Sequence, residues 1–117
     1  MVPRSTLDVN GNMSFKTINL TGNNAPTSII DGVYISVNPQ AQDQVFNLPS
    51  ATTYPGRFYF IRNVNTNNTA AISATSGQFF YKDKSTEADP TGHKIYLYEG
   101  NRTVFVISDG INWTVFN

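Results

Sequence analysis

The residues best suited to acid–base or metal chemistry lie in one polar stretch, residues 82–93. It contains the single histidine, His93, and the carboxylates Asp83, Glu87 and Asp89. Carboxylates grouped in a loop can bind a hard cation, and a histidine can act as a general base. These carboxylates follow no ordered ligand spacing, and two lysines lie among them. We therefore predict a solvated loop, with no catalytic residue, no metal site and no cofactor.

Aromatic side chains are the other candidates for a functional role, as contacts for a ligand. A ring flanked by polar groups can pack on the apolar face of a sugar, and Trp113 could supply such a platform. Because Ile111 and Val115 flank Trp113 in a short apolar run, we expect Trp113 to anchor a core or an interface instead. The remaining candidate ligand contacts are Tyr54, Tyr81, Tyr96 and Tyr98.

Composition limits the partners of the chain. The formal net charge is zero and only 14% of the residues are charged, so the basic surface of a nucleic-acid-binding protein is missing. There is no cysteine, which excludes disulfides and thiolate sites. The sequence contains no apolar run of about 18 residues, so we expect no membrane insertion, and we expect no signal peptide of its own.

The elements that must position these residues are predicted to be strands. Asn, Thr and Ser make up close to a third of the chain and favour turns and strands over helices. Residues 29–117 contain about eight short apolar runs at intervals of about ten residues, which predicts a small antiparallel β-sandwich or prism. Residues 1–28 are poor in apolar side chains and are predicted to form an N-terminal arm or stalk connection. Within that segment, Asn10-Gly11 indicates a tight turn between two short strands.

Several predicted strands carry large apolar residues on both faces. In residues 57–63, Phe58 and Phe60 alternate with Tyr59 and Ile61. An antiparallel sheet in a monomer usually has one apolar face and one solvated face. One explanation is that these apolar residues are simply exposed on a monomer. We favour a second explanation, an oligomer in which one face of the sheet packs in its own core and the other face packs on a partner chain. The candidate core and interface residues are Phe58, Tyr59, Phe60, Ile61, Phe105, Ile107 and Trp113.

The order of these motifs resembles the small β modules of bacteriophage tail fibres and spikes. The resemblance is carried by "LPSATTYPGRFYFIRNVN", with Leu48-Pro49 and Pro55-Gly56-Arg57 before an aromatic strand that ends in Asn63, and by the terminal "SDGINW". The opening "PRSTLDVNGN" is also similar to segments of phage and Bacteroidetes surface proteins. The polar stretch 82–93 is longer than the corresponding connection in such modules.

The resemblance implies a homotrimeric β structure with a role in attachment. On that basis we expect a non-catalytic structural and receptor-binding module of a phage or phage-like particle, located on the virion or an extracellular particle. Its expected partners are further copies of itself, other particle proteins through residues 1–28, and, as a candidate receptor, a cell-surface glycan. The alternative is a monomeric carbohydrate-binding module of a bacterial surface or secreted protein.

Overall fold

The computed structural model describes residues 7–76, 79–81 and 94–116, and these residues form two β-sheets. The predicted all-β class is confirmed. The strands are β1 (Thr17–Thr21), β2 (Thr27–Ser28), β3 (Tyr34–Asn38), β4 (Gln44–Leu48), β5 (Phe58–Asn63), β6 (Ala70–Ala74), β7 (Phe79–Tyr81), β8 (Ile95–Leu97), β9 (Thr103–Ser108) and β10 (Trp113–Phe116). Within the described ranges no helix is long and apolar enough to cross a bilayer.

From β1 to β8 the chain passes alternately between the two sheets. The six-stranded sheet has the order β1-β3-β5-β9-β10-β7, and the four-stranded sheet has the order β2-β4-β6-β8. Because each connection leads to the opposite sheet, β1, β3 and β5 stack in parallel on one side, and β2, β4 and β6 on the other. The first six strands therefore form a short two-sheeted coil.

The strand pairing corrects one part of the prediction. We expected antiparallel strands, but five of the eight strand pairs among the described residues are parallel. The antiparallel pairs are confined to the C-terminal part: β9 lies between β5 and β10, and β8 pairs with β6. Alternation of apolar and polar residues has the same period in both kinds of sheet, so it does not distinguish them.

Part of the predicted N-terminal arm belongs to the two sheets. β1 pairs with β3 along its whole length, and β2 pairs with β4. The two short strands predicted around Asn10-Gly11 are absent from residues 7–16, where no strand is formed. Whether the segment before β1 connects to other proteins stays a prediction.

The core lies between the two sheets and is filled by alternate residues of both. Ile35 and Ile61 from the six-stranded sheet are almost fully buried together with Phe46 and Leu48 from the four-stranded sheet. The same burial pattern recurs along β9, where Val104 and Val106 point into the core and the alternate residues Phe105 and Ile107 are partly exposed. Removing this apolar surface from water is the main stabilising term for such a sandwich.

A glycine permits the turn into β3. Gly32 has a φ of 82°, a value that L-residues with a Cβ rarely adopt. A Cβ at this position would lie 2.5 Å from Cγ1 of Ile18 in β1, which is a steric overlap. Gly32 therefore allows β3 to start close beside β1.

Candidate functional site

The outer face of the six-stranded sheet carries a continuous group of aromatic rings. We call this group the aromatic face. Five of its rings lie in a connected series, with centroid distances from 4.6 Å (Phe60 to Phe105) to 6.4 Å (Phe58 to Phe60), and Tyr34 lies opposite Phe60 in the neighbouring strand. Such distances are typical of favourable aromatic pairs. The aromatic face consists of Phe15, Tyr34, Phe58, Phe60, Phe105 and Phe116.

The register of four neighbouring strands creates most of the aromatic face. Phe60 in β5 is paired with Tyr34 in β3 on one side and with Phe105 in β9 on the other. Phe105 is in turn paired with Phe116 in β10. Residues directly opposite one another in neighbouring strands point to the same side of a sheet, so one ring from each strand reaches the outer surface.

The aromatic face is open to solvent in the single chain. Phe60 and Phe116 are each 45% exposed and Tyr34 is 41% exposed. A shallow pocket of about 260 Å³ lies above them, with Arg62 and Thr103 at its border. An apolar surface of this kind, bordered by polar residues, commonly marks an interaction site.

The structure divides the predicted core and interface residues between the two faces of the sheet. Phe58, Phe60, Phe105 and Ile107 lie on the outer face, whereas Tyr59, Ile61 and Trp113 are buried in the core. Their assignment to an oligomer interface stays a prediction.

Hydrogen bonds fix the two large core aromatics. The hydroxyl of Tyr59 donates to the carbonyl of Ile30 at 2.8 Å, and Nε1 of Trp113 donates to the carbonyl of Pro49 at 3.3 Å. The two rings lie 5.9 Å apart. Burial raises the pKa of the Tyr59 hydroxyl, because the ionised form would lose its hydration.

The tyrosines predicted to contact a ligand lie in three separate parts of the fold. Tyr54 lies in the turn before β5, where the Arg57 guanidinium stacks 3.7 Å from its ring centroid. Tyr96 and Tyr98 are exposed on β8 and in the turn that follows it. The backbone of Tyr81 pairs with Val115 in β10, and its side chain is outside the described part of the structure. The loop carboxylates and His93 also lie outside it.

A second candidate site is a polar cleft, of which only Tyr98 is predicted from the sequence. It lies between the loop from β5 to β6 and the turn from β8 to β9, and its volume is about 240 Å³. We call it the polar cleft. Residues 65–69 form one wall, and Tyr98, Glu99 and Arg102 form the other.

Asparagine side chains hold the wall of the polar cleft in place. The buried Asn63 amide donates to the carbonyls of Asn68 and Leu97, each at 2.9 Å. Oδ1 of Asn65 accepts from the backbone amides of Asn67 and Asn68. These bonds replace the regular sheet hydrogen bonds that a loop lacks, so the cleft has a defined shape.

A surface ion pair lies at the edge of the six-stranded sheet, away from the polar cleft. Nζ of Lys16 donates to Oδ2 of Asp31 at 2.6 Å, and this hydrogen bond holds the pKa of Asp31 below its usual value. Both side chains are mostly exposed, so their interaction contributes little to stability. In the described ranges, no three residues of the types His, Cys, Asp and Glu are grouped so that they could hold a metal ion.

No family model matches the sequence, and no curated protein or solved structure matches it either.

Proposed function

We propose that the protein is a non-catalytic structural and receptor-binding module of a phage or phage-like particle, and that it assembles as a homotrimer. The observation that carries the assembly is the aromatic face. It presents several partly exposed rings on one surface of a small, neutral protein. The phage context rests on the resemblance of the sequence motifs to fibre and spike modules.

The chemistry of the aromatic face favours a second copy of the chain as its partner. The rings form an uncharged centre, and an arginine, Arg62, lies at the border. Interfaces that form between copies of one chain have apolar, aromatic centres from which charged residues are depleted. Five of its six rings come from strands of the six-stranded sheet, so their backbone is ordered before binding, which lowers the entropic cost of association.

The mass of the protein in solution tests the proposal. At micromolar concentration we expect three times the 13.0 kDa chain mass by light scattering or sedimentation. Phe60→Asp places a charge in the centre of the aromatic face and should yield a folded monomer. Ile111→Asp is the matched control: Ile111 is 68% exposed in the turn between β9 and β10, so the same change there should leave the mass unaltered.

A monomeric wild-type protein at micromolar concentration would contradict the proposed assembly. A monomer that binds glycans would fit the alternative function, a carbohydrate-binding module. If Ile111→Asp dissociates the protein as readily as Phe60→Asp, the aromatic face is not the interface.

A further inference from the structure

We infer that the polar cleft is a binding site for one neutral sugar unit of a glycan. The inference rests on the proposed receptor-binding function and adds to it the place where a glycan binds and the kind of sugar unit that is recognised. The cleft lies between the ends of strands that belong to both sheets, β5 and β9 of one, β6 and β8 of the other.

The frame of the polar cleft is set before any ligand binds. Nη1 of Arg102 donates to the carbonyl of Asn65 at 2.7 Å and so connects the two walls. On the far side of the loop, Nδ2 of Asn68 donates to the carbonyl of Pro39, and Nε2 of Gln42 donates to the carbonyl of Asn67. A site that is already ordered loses little conformational entropy when it binds a ligand.

Several side chains of the cleft are available to a ligand. Tyr98 is 50% exposed, and Thr66, Asn67 and Glu99 are exposed. Within the described part of the chain, none of these four side chains makes a hydrogen bond to another residue. The wall therefore uses Asn63, Asn65 and Asn68 for structure and leaves these four groups facing solvent.

These groups have the chemistry that recognises a sugar. The Tyr98 ring offers an apolar surface for the C–H face of a pyranose, and its hydroxyl is a polar group beside that surface. Glu99 can accept hydrogen bonds from two neighbouring hydroxyls, whereas Asn67 and Thr66 can both donate and accept. A sugar carries donors and acceptors on one side and C–H groups on the other, so it matches this mixture.

The size and the charge of the cleft restrict the class of ligand further. A volume of about 240 Å³ is below the range of about 300–1,000 Å³ that is usual for drug-sized ligands, so the cleft fits a single ring. The negative charge of Glu99 opposes the positive charge of Arg102. A phosphate or sulfate group would meet the carboxylate, which favours a neutral sugar over an anionic one.

The test is a titration of isotopically labelled protein with glucose, galactose, mannose and N-acetylglucosamine, each as its methyl glycoside. We expect saturable shifts of backbone amide signals in residues 65–69 and 98–102 with at least one of these sugars. Tyr98→Ala should weaken that binding at least about tenfold, as expected for a central aromatic contact. Glu99→Gln removes the charge with little change in shape and should also weaken binding. Tyr96→Ala is the matched control, because Tyr96 is similarly exposed but lies outside the cleft, and it should change binding less than about twofold.

Three results would overturn the inference: no sugar gives saturable shifts in the cleft, Tyr98→Ala and Glu99→Gln both bind like the wild type, or inorganic phosphate binds there more tightly than the sugars. The mass of each sample separates this inference from the proposed assembly. If the protein is a trimer and binds none of the four sugars, only the sugar site is refuted. If it is a monomer and binds at least one of them in the cleft, the proposed assembly is refuted and the sugar site is supported.

Discussion

Replacing Asn63 with alanine should destabilise the protein more than any surface change in the same loop. Asn63 ends β5 and is fully buried. Its amide donates to the carbonyls of Asn68 and Leu97, and its Oδ1 accepts from the backbone amide of Asn65 at 2.8 Å. One side chain thus satisfies three backbone groups from two segments of the chain.

The size of the effect follows from the surroundings of these three hydrogen bonds. The bond to Leu97 is buried, so its loss leaves a carbonyl without this partner in a site that water does not reach, at a cost of about 1–3 kcal/mol. The other two are only partly buried, so water can replace the amide there and each loss costs about 0.5–1.5 kcal/mol. Added together, these terms predict that Asn63→Ala lowers the free energy of unfolding by about 2–6 kcal/mol, a large part of the total for a domain of this size.

Urea denaturation followed by tryptophan fluorescence measures this change. Trp113 is the single tryptophan and is fully buried, so its emission reports global unfolding. Asn63→Asp is a second useful variant. It keeps the oxygen that accepts from the backbone amide of Asn65, but it places a carboxylate oxygen next to the carbonyl oxygens of Asn68 and Leu97, which repel it. Its carboxyl should therefore have a raised pKa in the folded state. A raised folded pKa means that stability is present at low pH and is lost as the pH rises through that value, so Asn63→Asp should be closer to the wild type at pH 4 than at pH 7.

Two results would refute this reasoning. A cost below about 0.5 kcal/mol for Asn63→Ala would mean that the three hydrogen bonds contribute nothing net. An Asn63→Asp variant that is equally stable relative to the wild type at both pH values would mean that its carboxyl does not face the two carbonyls.

Two further predictions concern the core and the turn before β3. Tyr59→Phe should cost about 0.5–1.5 kcal/mol at pH 7 through the lost hydroxyl bond. Because burial raises the pKa of Tyr59 above its usual value of 10.0, the wild type loses stability as the pH rises above 10.0. In urea denaturation, the difference in the free energy of unfolding between Tyr59→Phe and the wild type should therefore be smaller at pH 10.5 than at pH 7. Gly32→Ala should cost about 2–4 kcal/mol, because strain at positive φ is joined by a steric overlap. Gly100 has a φ of 90° with open space around it, so Gly100→Ala should lower the free energy of unfolding by only about 1–2 kcal/mol. If thermal unfolding shows the same loss of stability for both glycine variants, the steric overlap of a Cβ at position 32 with Ile18 does not contribute.

The alternation of residues within a strand was readable from the sequence. The pattern in β5 places Tyr59 and Ile61 on one face and Phe58 and Phe60 on the other, and this division is present in the structure. Period-two alternation is a local property of a strand, so it needs no knowledge of the neighbouring strands. The hairpin between β9 and β10 can also be read from the sequence, because its turn contains Asp109-Gly110, a tight-turn signal.

The pairing of strands and the polar cleft could not be read in the same way. β3 and β5 are neighbours in space, but β4 lies between them in the chain, and no short turn motif marks such a pairing. The cleft combines residues 65–69 with residues 98–102, and each segment alone is an ordinary polar turn. The asparagine-rich residues 65–68 have the composition of a turn, but the hydrogen bonds of Asn63 to Leu97 and of Asn68 to Pro39 join segments that are distant in sequence.

The two ends of the two-sheeted coil differ in how their outermost strands are paired. At one end, β1 and β2 present edges whose strands run parallel to those beneath them, so another turn of chain could be added there without altering the pattern. At the other end, β8 and β9 reverse the strand direction and interrupt it. Lengthening by duplication of a turn, as in repeat proteins, is therefore compatible with the β1 end. A protein built this way can evolve additional turns at the β1 end while the opposite end, with the polar cleft, keeps its structure.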